Sequence, residues 1–217
     1  TDISLLTDRL PAGTSSDMEN MKFSLNIPKN NCIVVPTATS YSGAVLSRKI
    51  TDKPEWSVAS TIISYEYLWN EVRVKGGAYG SGCNVNNMNE ACLHSYCDPS
   101  PLNSIGIYER SAEFLTEYCS NDPDITPYII STIASGEPLV SDAEYLAAAD
   151  GMYFRDITQD SRRKLRGEIL DMTADRLADI SSDLKKEMYC CVVGSKDTTD
   201  DVIKNINDRT FNVESVY

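Results

Sequence analysis

"DKPEWSVASTIISYEYLWNEVRVKGGAYGSGCNVNNMNEACLHSY", residues 52–96, decides the architecture. It opens as a helix. Asp52 followed by Glu55 has the capping-box pattern, and Pro54 falls in the first turn, where a missing N–H is tolerated. Val58, Ile62, Tyr65, Leu68 and Val72 then recur every three or four residues, giving one apolar stripe. The stripe stops near Arg73. Lys75 and then Gly76-Gly77 follow, and cations in a last turn with glycine just beyond it are the usual end of a helix. The next residues change character. "AYGSGCNVNN" and "ACLHSY" read as two strands joined by the polar turn "NMNE", a hairpin directly after a long helix.

Working outward, "DPSP" ends the second strand and a helix is expected over about 104–119, with Ile105, Tyr108, Ala112, Leu115 and Cys119 in register. Thr126-Pro127 opens another helix. Ser141 with Glu144 is a further capping box. Thr158 and Thr173 precede amphipathic runs carrying Leu165, Ile169 and Leu170, then Leu177, Ile180 and Leu184. "MYCCVVGS" is a buried strand, with a short tail helix after it. Toward the N-terminus, "NCIVVPTATSY" is rich in β-branched residues and is interrupted by Pro36, which favours a sheet edge or a bulge. "MKFSLNI" alternates before it. Residues 1–28 read as a linker and 29–217 as a single domain. Hairpin pairing with helices grouped together argues for an α+β fold, a largely antiparallel sheet packed against helices on one side.

The composition narrows the function. The chain has 217 residues, enough for a substantial core. Its net charge of −12 repels nucleic acid. No apolar run approaches the length of a membrane span. No signal peptide is visible at the start, and a chain that begins at Thr1 reads as a processed piece or an excerpt of a longer protein. Seven cysteines, an odd number without a CxxC repeat and including the adjacent Cys190 and Cys191, read as free thiols in the cytoplasm or another reducing intracellular compartment.

His94 is the sole histidine. It stands in "CLHSYC" between Cys92 and Cys97. Strand alternation puts Cys92, His94 and Tyr96 on one face and Cys97 on the other. Zinc hydrolases ordinarily use two or three histidines, or cysteines at short spacing, so a satisfied histidine is the better reading than a metal ligand. The glycines do not form a phosphate loop. Such loops precede a helix so that its N-terminus faces the anion; here they follow one, where the dipole has the opposite sign.

The wording of "YLWNEVRVKGGAYGSG", followed by a hairpin ending in "HSYCDPSP", resembles the C-terminal part of the insulinase–pitrilysin family of zinc peptidases, in its presequence-protease branch. "NCIVVPTATSY" and "CCVVGSKD" resemble the same branch, over residues 30–197 in all. The resemblance implies an α+β domain in the C-terminal half of a two-part enzyme that closes around a peptide chamber. Zinc would belong to the inverted motif HxxEH of the N-terminal half, which is the implied partner. No HxxEH occurs in this chain, so neither a catalytic residue nor a metal ligand is expected here, and the chain alone should be inactive. The family positions that hold an unstructured peptide's backbone fall on Arg73 and Tyr79, with Gly76 and Gly77 as the loop between them. One departure is Cys97, which stands where the family's SYRDP pattern has arginine. The rival expectation is a non-catalytic scaffold of the same fold, and a third is an unrelated α+β binding module.

Overall fold

A computed structural model describes residues 28–36, 43–51, 53–86 and 89–216. The linker assigned to 1–28, apart from residue 28, the strand read at 21–27, residues 37–41, the cap at Asp52 and positions 87–88 of the hairpin turn lie outside the described residues.

Among the described residues, six strands form one open sheet: β1 Asn30–Val34, β2 Gly43–Lys49, β3 Gly80–Val85, β4 Glu90–Tyr96, β5 Tyr189–Gly194 and β6 Asn212–Ser215, in the order β3-β4-β2-β5-β1-β6. The expected hairpin is there, with Cys83 opposite Leu93. β2 lies antiparallel to both β4 and β5, placing Leu46 against Leu93 and against Cys190. β1 instead runs parallel to β5 and to β6. The sheet is therefore largely antiparallel with a parallel end. That end needs long crossovers, which local sequence does not announce.

Burial alternates along the strands as the period of two requires. In β4, Ala91, Leu93 and Ser95 are buried, whereas Cys92 and His94 are half-buried and Tyr96 is exposed. In β5, Cys190 and Val192 are buried and Tyr189 is exposed. Cys32, Leu46, Leu93, Cys190 and Val192 share one face through the register of their strands. Helices pack against the sheet there. They include α1 Lys53–Ile62, α2 Pro101–Glu109, which leads into α3 Ser111–Ser120, and, near the C-terminus, α9 Lys196–Asn205. Between them come α4 Thr126–Gly136, α5 Asp142–Tyr153, α6 Gln159–Leu170, α7 Ala174–Asp179 and α8 Ser181–Leu184.

The helix read over 104–119 is two helices. The backbone breaks at Arg110, whose N–H turns back to the Ile107 carbonyl, yet Ile105, Tyr108, Ala112, Leu115 and Cys119 are all buried as their register requires. The caps at Ser141, Thr158 and Thr173 form. Ser141 and Glu144 bond reciprocally, and the Thr158 and Thr173 hydroxyls accept from Ser161 and Arg176 N–H groups. "DPSP" does more than end a strand. Asp98, 1% exposed, accepts from the Ser95 and Ser104 hydroxyls at 2.6 Å each and from the Ser100 N–H at 2.8 Å. This carboxylate ties the end of β4 to the start of α2, where a helix dipole favours negative charge. Among the described residues no helix is long and apolar enough to cross a membrane.

Candidate functional site

The site is built where the long helix ends. α1 does not stop at Ile62 but runs on as a wider π-helical section, Ile63–Lys75. Its i→i+5 bonding spreads the turns, so the buried residues fall at Ile63, Leu68 and Val72, five and then four apart. Tyr65, which the 3.6-residue stripe placed in the core, is 59% exposed as a result. The same widening leaves Trp69 on the surface, 44% exposed. The Arg73 guanidinium stacks over the Trp69 ring, 3.9 Å from its centre.

Both glycines after this section have a physical reason. The N–H groups of Gly76 and Gly77 turn back to the Arg73 carbonyl, and that of Ala78 reaches the Val72 carbonyl at 3.2 Å. Gly77 has φ +81°, a left-handed conformation that L side chains rarely adopt. Gly76 is ordinary in φ, but a Cβ there would sit 2.5 Å from the Val72 carbonyl oxygen. The result is a sharp reversal into β3, with Ala78 buried and Tyr79 68% exposed.

Tyr79 is fixed by its backbone and its ring. Its N–H donates to the Cys97 carbonyl at 3.1 Å, and its ring meets that of Tyr96 edge-on at 5.7 Å. Tyr96 lies so close over Gly80 that a Cβ there would come within 2.2 Å of the ring. Cys97 itself takes φ +47°, turning the chain from β4 toward Asp98. Arg73, Gly76, Gly77 and Tyr79 thus belong to one turn, in which Arg73 is braced by Trp69 and Tyr79 by Tyr96. Sequence reading did not single out these two aromatic braces. The i,i+4 spacing of Trp69 and Arg73 was the available signal for the first. The second comes from pairing across the hairpin, where Gly80 lies opposite Tyr96.

His94 sits on the face of β4 away from the buried set, opposite Val45 and Gly82. Burial holds its pKa below the usual histidine value. Cys92 shares its face, but among the described residues no three His, Cys, Asp or Glu side chains are grouped to hold a metal ion. The thiols of Cys32, Cys83, Cys119 and Cys190 are buried, and burial raises their pKa values, to about 11 for Cys32 and Cys119 and about 12 for Cys190.

The model of the PreP C-terminal domain family matches residues 30–196. Protein HypA of Clostridium perfringens is 32% identical over 163 residues, 74% of this chain and 16% of that protein. Presequence protease 1, chloroplastic/mitochondrial, of Arabidopsis thaliana is 27% identical over 218 aligned positions, 95% of this chain and 20% of that protein. The chain thus spans a fifth or less of the length of these relatives. Among solved structures, the inactive domain of a peptidase M16 from Pseudomonas fluorescens superposes with a TM-score of 0.51 at 15% identity, covering 81% of this chain and 46% of that one. At that identity the likeness is one of fold.

Proposed function

The chain belongs to the PreP C-terminal domain family, and on that premise we propose that it is the zinc-free C-terminal domain of a presequence-protease-like metalloendopeptidase, where it forms part of a peptide chamber and holds the substrate backbone. The observation that carries this reading is the turn at residues 73–79. It spends two glycines on presenting an arginine and a tyrosine outside the core, each braced by an aromatic ring. A guanidinium donates in-plane hydrogen bonds to peptide carbonyls. A tyrosine hydroxyl donates to a carbonyl oxygen whose negative charge grows as the tetrahedral transition state forms, and preorganised donors of this kind are a large electrostatic contribution to acyl transfer. Gly76 and Gly77 make the reversal that sets the two side chains on one turn.

On this reading the zinc, with its HxxEH motif, lies in an N-terminal half outside these residues, and that half and an unstructured peptide are the partners. The free-thiol reading of the cysteines puts the protein in a reducing compartment. The test is kinetic, in the longer enzyme. Arg73→Ala should raise KM and lower kcat/KM, whereas Tyr79→Phe should act mainly on kcat, by roughly 10²–10³. The 217-residue chain alone should hold no stoichiometric zinc by elemental analysis and cleave no peptide. If both variants keep near wild-type kcat/KM with zinc content and melting unchanged, the scaffold reading replaces this one.

A further inference from the structure

An open groove of about 760 Å³ runs beside the long helix. One wall is α1 and its π-helical extension, from Lys53 to Trp69. The edge strand β3 lies along it, and α4, α5 and α6 supply the other side. The charge of its lining is opposite to that of the protein. The chain carries 32 acidic and 20 basic residues, yet among the described residues lining the groove there is no Asp or Glu, while Lys53, Arg155 and Arg162 all face it.

Lys53 and Arg162 lie toward one end. The Tyr128 hydroxyl at the start of α4 bonds Glu66, and Thr132 further along reaches the Thr61 hydroxyl at 2.9 Å and the Ser57 carbonyl at 3.5 Å. α4 therefore runs antiparallel to α1, and its last residues approach the Lys53 end. Glu137, just past α4, lies 3.8 Å from Arg162. That pairing is loose, because the same carboxylate oxygen is held more tightly by Arg166. The opposite end of the groove holds the exposed rings of Tyr65 and Trp69, and Arg73 lies on Trp69.

The β3 edge is closed to an added strand at its middle. The Ser64 hydroxyl accepts from the Cys83 N–H at 2.8 Å, and its one proton is shared between the Ser60 carbonyl at 2.7 Å and the Cys83 carbonyl at 3.0 Å. Recognition in the groove therefore falls to side chains and chain ends rather than to strand addition. The wall from Lys53 to Trp69 is on the order of 20–25 Å long at about 1.5 Å per residue, which matches roughly six or seven residues of extended peptide at about 3.3 Å each.

We propose that this groove selects peptides by carboxylates, with the acidic end of an extended segment at Lys53 and Arg162, Arg155 adding positive charge to the same lining, and the remainder leading to Trp69 and Arg73. The assignment rests on the reading of Arg73 as a backbone-holding residue and extends it to substrate preference. A carboxylate could come from Glu side chains or from a free C-terminus, and the probes separate the two.

Fluorescence anisotropy on the 217-residue chain, with three fluorescein-labelled heptapeptides of common sequence, tests it. The first has two Glu residues and an amidated end, the second Gln in their place with an amidated end, and the third Gln with a free carboxylate. At low salt the first or the third should bind about tenfold tighter than the second, the sum of two or three modest ion pairs, and high salt should shrink the ratio. Whichever of the two binds tighter names the source. The Arg155→Gln/Arg162→Gln double variant should lose the ratio while melting as the parent does. Equal affinity for all three probes, no binding of any, or a ratio that survives in the double variant overturns the proposal. Arg73→Ala isolates the reading beneath it. That variant should weaken all three probes by a similar factor. A preserved charge ratio with no effect of Arg73→Ala leaves the groove assignment standing and removes the backbone-holding role.

Discussion

Arg73 and Trp69, four residues apart on the π-helical section, are stacked with the guanidinium 3.9 Å from the ring centre. A cation over an indole at a partly exposed position is worth about 0.5–1 kcal/mol. Its larger effect is directional, since a long flexible side chain is held at the helix end before any ligand arrives. Trp69→Ala should therefore weaken peptide binding by about two- to fivefold without removing the charge. Trp69→Phe should recover part of the loss. Equal binding by all three proteins in a titration would show that Arg73 needs no brace.

The two turn glycines should fail differently. Gly77→Ala places a side chain at φ +81° and should cost about 1–2 kcal/mol, whereas Gly77→Asn should cost less, because asparagine tolerates left-handed backbone. Gly76→Ala and Gly76→Asn should both be costly, by roughly 1–3 kcal/mol, because any Cβ meets the Val72 carbonyl oxygen whatever the side chain. Urea unfolding of the four variants checks the ranking.

His94 should make the domain sensitive to mild acid. Its folded pKa lies below the reference value of 6.5, chiefly through burial. The unfolded chain therefore binds the proton more readily than the folded one. The neutral imidazole's contribution is fully present above about pH 6.5 and is lost as pH falls toward the folded value. The stability difference between wild type and His94→Gln, followed by chemical unfolding from pH 7.5 to 5, should shrink as pH falls. A pH-independent difference would contradict this.

The thiols should report their environment. In denaturant without reductant, all seven cysteines should alkylate; five or fewer would reveal a disulfide. In the native state near neutral pH, Cys32, Cys83, Cys119 and Cys190 should react slowly, because burial both hides them and raises their pKa values. Time-resolved mass spectrometry separates the two populations.

What could be read from the sequence was whatever neighbouring residues decide among themselves. The long helix, the glycine stop, the hairpin and the Ser141, Thr158 and Thr173 caps depend on periodicity, backbone freedom and bonds spanning three or four residues. The wording around Arg73 and Tyr79 carried the family resemblance, which the family match over residues 30–196 agrees with. Other features needed the folded chain. β2 is a short segment whose place between β4 and β5 exists only through those partners, and it was not read as a strand. The parallel pairing of β1 joins residues about 160 positions apart. Tyr65 left the core because the helix widened, a change of pitch that a 3.6-residue stripe does not contain. The groove's cations come from α1, the segment after α5 and the first turn of α6. Chain reversal and helix packing, rather than any local pattern, bring them to one lining and keep the acidic majority of the surface out of it.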